Sequence, residues 1–570
     1  MLLILIGFAF WSAVLIGLGA LPRPWLGRHL NDLSDLPIAF WIGWALAILL
    51  LQLVNFVLPI RPWAAILVIA LGVLGLALRG QEIRRLIARQ RRPPLVVLLV
   101  IAALAVFVAL RSTTPLIEGD SGEYHLGSVA WSNAYPILRG LGNLLPRLAF
   151  NQSFFLYGAM LDLGPFVGNA YQLANGLLLV QIVALGVLSL RRVVSAPRDG
   201  APRWMFYALM LAPALHQMND ERFFSLSPDS APFLLGIVLL GECLDSLLRP
   251  ERGVEARDVA RVTLLGAAGV ACKQSFLAFG LSAVFIIWLA WLWQHRRLTL
   301  RARILELWPA LSLGLLIAGG WIARGILLSG YPFFPITAFT LPVTWRVPPD
   351  LALNELDWIV MRARNPGVSP DQIAPGMAWL ANWLRNLPNS ITKPAEVSAG
   401  LLLFTLALWP GRAGSQHDAR RVLALTAIPL VSIAYWLVTA PAPRFAGSAF
   451  WALLALLIVG FVMVAGLIGG DHGPAALAVI ALTFFIWVAP LAPWKLSLSA
   501  RTLLDARRSG RIPEYSVQVT HTGLAVNVPT SEDECWDTPL PCTTHFSDRL
   551  ALLESGNLAG GFRLLPEAPP

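Results

Sequence analysis

The chain has 570 residues, of which 56% are hydrophobic and only 13% charged, and a formal net charge of +10. Soluble globular chains carry about 25% charged residues, so this composition excludes an ordinary water-soluble domain and asks for lipid as solvent. Four cysteines are too few for a disulfide scaffold or a cysteine-based zinc site.

A membrane-spanning helix needs roughly 20 mostly apolar residues. In chain order, apolar runs place spans near 2–21, 37–58, 63–78, 95–110, 165–190, 204–216, 231–248, 262–273, 276–293, 307–328, 398–410, 422–440, 448–468 and 475–492. The run at 262–273 is short, so the expectation is an all-α polytopic membrane protein with about 12–14 transmembrane helices. No positive charge precedes the first run, which lacks the n-region of a cleavable signal peptide and is read as a retained helix. The run 153–163 fits an interfacial helix. Residues 1–492 read as the transmembrane domain. Residues 493–570 read as a small external α+β module, with VQVTHTGLAVNV as a strand pair and 547–555 as a short helix. Cys243 and Cys272 fall in apolar runs. Cys535 and Cys542 fall in the polar tail and can pair in an oxidising compartment.

The alternate loops 22–36, 79–94, 191–203, 249–261, 294–306 and 411–421 hold 23 of the 43 Lys and Arg residues. Basic short loops stay in the cytoplasm, which orients the chain. The excess positive charge is thus a topology signal and a contact with anionic lipid, and a nucleic-acid partner is not expected. This orientation puts both termini and the loops 111–164, 217–230, 330–397 and 441–447 on the non-cytoplasmic side.

Chemistry is densest in the first of these loops. Glu118, Asp120, Glu123 and His125 crowd directly after a span. Carboxylates this close, beside an apolar surface, repel one another, and at least one pKa should rise. Such a cluster suits a general base, or a divalent cation such as Mg or Mn held by Asp120, Glu123 and His125. The plainer reading is a solvated loop in which Asp120 and Glu123 form a capping box. Other loops on the same side add polar residues at span ends: His216, Asn219, Asp220, Glu221, Arg222, Asp229, Lys273, Gln274, Arg324 and Arg444. Each alone can be a snorkelling or capping residue. Together they pair acids, for a hydroxyl acceptor or a metal, with isolated cations, for a phosphate. No P-loop and no H-E-x-x-H motif is present, so the substrate itself must carry the driving force.

Asp120 four residues before Tyr124, just after an early span, resembles the first external loop of GT-C fold glycosyltransferases. The longer pattern of Asp120, Ser121, Tyr124 and His125, followed by Gly140, Leu141, Asn143, Leu144, Arg147, Leu148 and Asn151, is similar to a group of bacterial multi-span membrane proteins of unassigned role. The SGYPFFP and PAPRF stretches are similar to that group too, so the likeness covers roughly 95–450. It implies a bacterial inner-membrane enzyme that moves a sugar from a polyprenyl-phosphate donor to a glycan, lipid or protein acceptor, with inversion. Asp120 would be the base, with Glu118 and Glu123 tuning it. Tyr124, His125, Asn143, Arg147, Asn151, Asp229 and Tyr331 would line the site, and Lys273, Arg324 and Arg444 would take the departing phosphate. GT-C members often carry adjacent acids, whereas these are spaced, which leaves the identity of the base and the need for a metal open. Two other readings stand beside this one: a transporter or flippase of lipid-linked glycans, and a non-enzymatic envelope-assembly protein.

Overall fold

A computed structural model describes residues 1–26, 30, 32–89, 95–195, 201–249, 253–368, 376–408, 416–464 and 510–566. Eight of its helices are long and apolar enough to cross a membrane: Leu2–Ala20, Asp35–Asn55, Ile60–Leu86, Ala170–Val194, Ser230–Leu248, Gln274–Gln294, Leu300–Ser329 and Asp418–Val438. The chain is a multi-pass membrane protein. The remaining expected spans differ in length or polarity. Leu95–Arg111 and Ala449–Val464 are apolar but shorter. Ala201–His216 and Ala256–Cys272 have 16 and 17 residues, and the second opens on Arg257, Asp258 and Arg261. The run 398–410 overlaps a helix, Asn389–Leu408, that begins with polar residues. The expected span 475–492 lies outside the described residues.

The first helices pack at unusually short range. Leu2–Ala20 lies against both Asp35–Asn55 and Ala65–Arg89. A Cβ added at Gly19 would sit 1.9 Å from the Ala39 carbonyl oxygen, and one at Gly43 would sit 1.9 Å from that of Leu15. Small residues let helix backbones meet in lipid, where hydrophobicity alone does not drive helices together. The apolar run read as interfacial forms the helix Phe154–Leu161 instead, and all eight of its residues are buried. It packs on Asp35–Asn55, so its apolarity serves the bundle interior.

Two helices fix the geometry that follows. Ser230–Leu248 and Ala256–Cys272 follow each other in the chain and pack against each other. A 19-residue helix rises about 28 Å. Asp229 and Lys273 therefore sit at one end of the pair, and Asp245 and Asp258 at the other.

The C-terminal module holds two antiparallel strand pairs. β1 (Tyr515–Val519) pairs with β2 (Ala525–Pro529), where the sequence placed a strand pair. β3 (Leu550–Leu552) pairs with β4 (Phe562–Leu564). The helix expected over 547–555 is thus a strand, because Leu550 and Leu552 find partners in Leu564 and Phe562 and this tertiary pairing overrides local helix propensity. A disulfide joins Cys535 and Cys542. The module sits on the bundle through main-chain contacts. The Trp536 N–H donates to the Gly122 carbonyl at 2.8 Å, and the Phe562 N–H donates to the Arg139 carbonyl at 2.9 Å. The Thr543 hydroxyl donates to the Leu144 carbonyl at 2.7 Å.

Candidate functional site

The acid-bearing loop leaves Leu95–Arg111 and winds through one wide helical turn, Ser121–His125, into the helix Leu126–Ala134. Asp120 stands at the start of that turn, yet its side chain makes no capping bond. The expected capping box does not form. Asp120 turns instead toward Arg444, whose Nη1 lies 3.0 Å from Oδ2, while Arg147 Nη1 lies 3.6 Å from Oδ1. The Arg444 Nε also lies 3.8 Å from Asp229, so one guanidinium spans two carboxylates from separate loops. The Lys273 Nζ closes on Asp229 at 3.0 Å. Arg147 is held from behind by an ion pair to Glu123 and by Glu355 at 3.4 Å.

These groups border a cavity of about 610 Å³. At its polar end Asp120, Arg147, Lys273 and Arg444 face the space, with Tyr124 and Asn151 beside them. Apolar side chains make up much of the remaining lining: Leu356, Ile359 and Val360 of the helix Pro349–Arg364, Trp436 from the end of the span Asp418–Val438, and Phe334 and Phe445. Two further charged residues of Pro349–Arg364, Asp357 and Arg362, line it as well. Counting the lining side chains, four cations face two carboxylates. Asp229, Glu123 and Glu355 stand behind the cations and do not line the space.

The acids split in their proton affinity. Burial acts to raise the Asp120 carboxyl, but Arg444, and then Arg147 and Lys273, outweigh it and hold the group below the usual carboxylate range. Asp229 follows the same pattern: burial is overcome by Lys273 and Arg444, and its carboxyl is lowered. Burial pushes Glu118 up to about 7, against the pull of the Ser225 hydroxyl, which donates to Oε2 at 2.8 Å. Burial also pushes Glu123 up to about 7, opposed by Arg147. Toward neutral pH the cavity therefore presents an ionised Asp120, with two glutamates of raised proton affinity set back from it.

Several expected site residues do other work. Arg324 does not face this cavity. It is buried within Leu300–Ser329 and its Nη1 donates to Asn55 Oδ1 at 2.7 Å. The buried Tyr331 hydroxyl donates to the Val347 carbonyl at 3.0 Å, which pins the segment after that helix. Asn143 is buried and donates to the carbonyls of Gly140 at 3.1 Å and Trp345 at 2.8 Å, so it orders loops. The Asn151 amide donates to the Trp321 carbonyl while still lining the cavity.

His125 is buried beside the Tyr124 and Phe155 rings, at centroid distances of 4.4 and 5.3 Å. Burial lowers its pKa to about 3, so it is neutral. The metal set of Asp120, Glu123 and His125 is not assembled, because Asp120 pairs with Arg444, Glu123 with Arg147, and His125 faces rings. Among the described residues no group of three His, Cys, Asp or Glu is placed to hold a metal ion.

Sequence reading missed Glu355, Arg362 and the wall built by Pro349–Arg364. The available signal was the spacing of Ala352, Leu356 and Ile359 at four- and three-residue steps, one apolar face of a helix. It also missed how the C-terminal module reaches the site. A Cβ at Gly122 would lie 2.3 Å from the Trp536 ring, so the glycine within D-S-G-E-Y is where the indole seats on the acid loop.

The chain belongs to the family described as a domain of unknown function (DUF8201), whose model matches residues 1–451. The match thus takes in the whole cavity and ends short of the C-terminal module. No curated protein and no solved structure matches the chain.

Proposed function

We propose that this member of the DUF8201 family is a membrane glycosyltransferase of GT-C type that uses a polyprenyl-phosphate sugar on the non-cytoplasmic face of a bacterial inner membrane. The observation that carries this reading is the mixed lining of the cavity: an ionised carboxylate among cations, beside a mainly apolar surface. A lipid phosphate matches both parts. Its charge is met by Lys273, Arg147 and Arg444, in bidentate fashion for the arginines. Its isoprenoid chain lies along Leu356, Ile359, Val360 and Trp436. The span Asp418–Val438 that carries Trp436 leaves Leu430, Val431, Leu437 and Val438 exposed, a surface on which lipid can lie.

The reaction then runs as follows. Asp120 takes the proton of an acceptor hydroxyl, whose oxygen forms a bond to the anomeric carbon. The bond from that carbon to the phosphate oxygen breaks, and the lipid phosphate leaves with the electron pair and its negative charge among the cations. Asp120 is favoured over Glu118 and Glu123 as the base, because of these three acids it is the one that lines the space. Arg444 links base and leaving group. A phosphate oxygen competes with Asp120 for its guanidinium, and losing that partner raises the basicity of Asp120 as the donor arrives. General-base assistance of this kind contributes roughly 10²–10⁴-fold.

The orientation rests on charge. The opposite end of the same helices carries Arg249, Arg257 and Arg261, as cytoplasmic ends do. The test is loss of label from polyprenyl-phosphate sugars in membranes holding the wild type or Asp120→Asn. Transfer by the wild type and its loss in the variant are expected. An Asp120→Asn protein with full transfer, or a wild type inert toward a broad donor panel, overturns the reading.

A further inference from the structure

A second cavity of about 310 Å³ lies beside the first and shares Arg444 with it. Arg444 lines both spaces, and Asp229, which it approaches at 3.8 Å, lines the smaller one. The two spaces differ in charge. Four cations against two carboxylates line the larger. Arg222 and Arg444 against Asp220 and Asp229 line the smaller, and Arg222 is already fixed on Asp220 at 2.5 Å. The smaller space is therefore electrically balanced and offers no surplus for an anion.

What it does offer is hydrogen-bonding variety next to rings. His216, Gln217, Asn219 and Ser390 supply imidazole, amide and hydroxyl groups. The buried Nδ1 of His216 has no hydrogen-bond partner among the described residues. Phe223, Phe450 and Trp451 supply aromatic surface. Few polar groups set among aromatic side chains is the usual make-up of a small-molecule site, and the volume is at the small end of the roughly 300–1,000 Å³ such sites span.

We propose that this smaller cavity binds a neutral, hydroxyl-rich ligand, the carbohydrate end of the acceptor, and delivers its hydroxyl past Arg444 to Asp120. The acceptor role rests on the glycosyltransferase reading; the binding of a neutral sugar does not. The arrangement explains why a single guanidinium bridges Asp120 and Asp229: it stands at the junction where the hydroxyl of one substrate must meet the phosphate ester of the other.

The test is direct binding, with the full-length protein in lipid nanodiscs free of sugar detergents. The probes are methyl α-glucoside, methyl β-galactoside and methyl N-acetylglucosaminide, with inorganic phosphate as the anion for the larger cavity. Ser390→Trp fills the smaller cavity, and Asn219→Ala removes one polar group at a cost of about 3–10-fold in affinity, the worth of one hydrogen bond. At least one glycoside should bind the wild type, weaken in Asn219→Ala, and be lost in Ser390→Trp, while phosphate binds all three alike and shows that the variants are folded. Glycoside affinity unchanged by both substitutions, or no binding of any glycoside to the wild type, overturns the proposal. Sugar transfer measured on the same samples reports separately on the enzyme: glycoside binding at this cavity in a protein inert toward every donor leaves the site standing and removes the glycosyltransferase reading.

Discussion

The same two helices, Ser230–Leu248 and Ala256–Cys272, carry a cluster of charges at each end, and the clusters are built in opposite ways. At the far end from the cavity, Arg261 bonds Glu242 at 3.1 Å and also pairs with Asp258, and all three side chains are at most 2% exposed. Arg249 joins Asp245 at 2.9 Å to Asp258 at 3.0 Å, and Arg203 closes on Asp245 at 2.6 Å. Glu255 and Asp258 form a reciprocal helix cap. None of these residues lines either cavity. At the near end the closest pairs are equally short, Asp120 to Arg444 and Asp229 to Lys273 both at 3.0 Å, with longer secondary ones from Asp120 to Arg147 at 3.6 Å and from Asp229 to Arg444 at 3.8 Å. There the cations face open volume, and two glutamates sit at about 7. Buried charge by itself fastens helix ends. Cations facing open space, with carboxyls pushed away from their ordinary range, mark the end that meets a ligand.

That contrast can be broken by substitution. The largest effect is expected at the far end. Arg261→Ala takes from the buried Glu242 and Asp258 the cation they share, a loss of about 3–5 kcal/mol. The yield of monodisperse protein should collapse, with normal transfer by whatever survives. Near the cavity, Lys273→Ala or Arg444→Ala removes a charge-assisted bond to the donor phosphate worth about 1.5–3 kcal/mol. The donor KM should rise about 10–100-fold, while the melting temperature falls less than in Arg261→Ala, since Asp120 and Asp229 each keep a second cation. Wild-type donor KM in both variants would erase the distinction between the ends.

A smaller effect is expected where the module seats. Gly122→Val overlaps the Trp536 ring and should cost about 1–3 kcal/mol in that contact, lowering kcat. Trp536→Ala should lower it also, and the double variant should be no worse than the poorer single one, as coupled neighbours behave. Full additivity would separate the module from the acid loop.

The smallest effect is on pH dependence. Glu118 and Glu123 each hold a proton up to about 7 in the folded protein, against about 4.3 for a free glutamate. The folded state thus binds more protons between these values, and stability falls as pH rises across that window. Asp120 and Asp229 are lowered, so their contribution is already complete above the ordinary carboxylate range and adds no slope there. Melting temperature should drop between pH 5 and 8, and drop less in Glu118→Gln. An identical slope in the variant would contradict the raised carboxyl.

Much of this site was legible in local sequence, and the rest was not for identifiable reasons. The clustering of Glu118, Asp120 and Glu123 after a span, and the isolated Lys273 and Arg444 at span ends, are patterns a few residues long, and the fold brings them together. Arg324 misled because sequence gives its depth in a helix but not the helix face: it points to Asn55, 269 residues away in the chain. Glu355 and Trp536 act through contacts with Arg147 and Gly122 that no periodicity encodes. The strand at 550–552 was read as helix because its partner, 562–564, lies beyond any local window. Spans survived best, since twenty apolar residues need no partner to declare themselves.

The most direct test sets the two ends against each other in one assay: sugar transfer from a labelled polyprenyl-phosphate donor, per folded molecule, by wild type, Asp120→Asn and Asp258→Asn. The account predicts that Asp120→Asn melts like the wild type and loses roughly 10²–10⁴-fold in transfer, while Asp258→Asn folds poorly and transfers normally. An Asp120→Asn enzyme as fast as the wild type would contradict it.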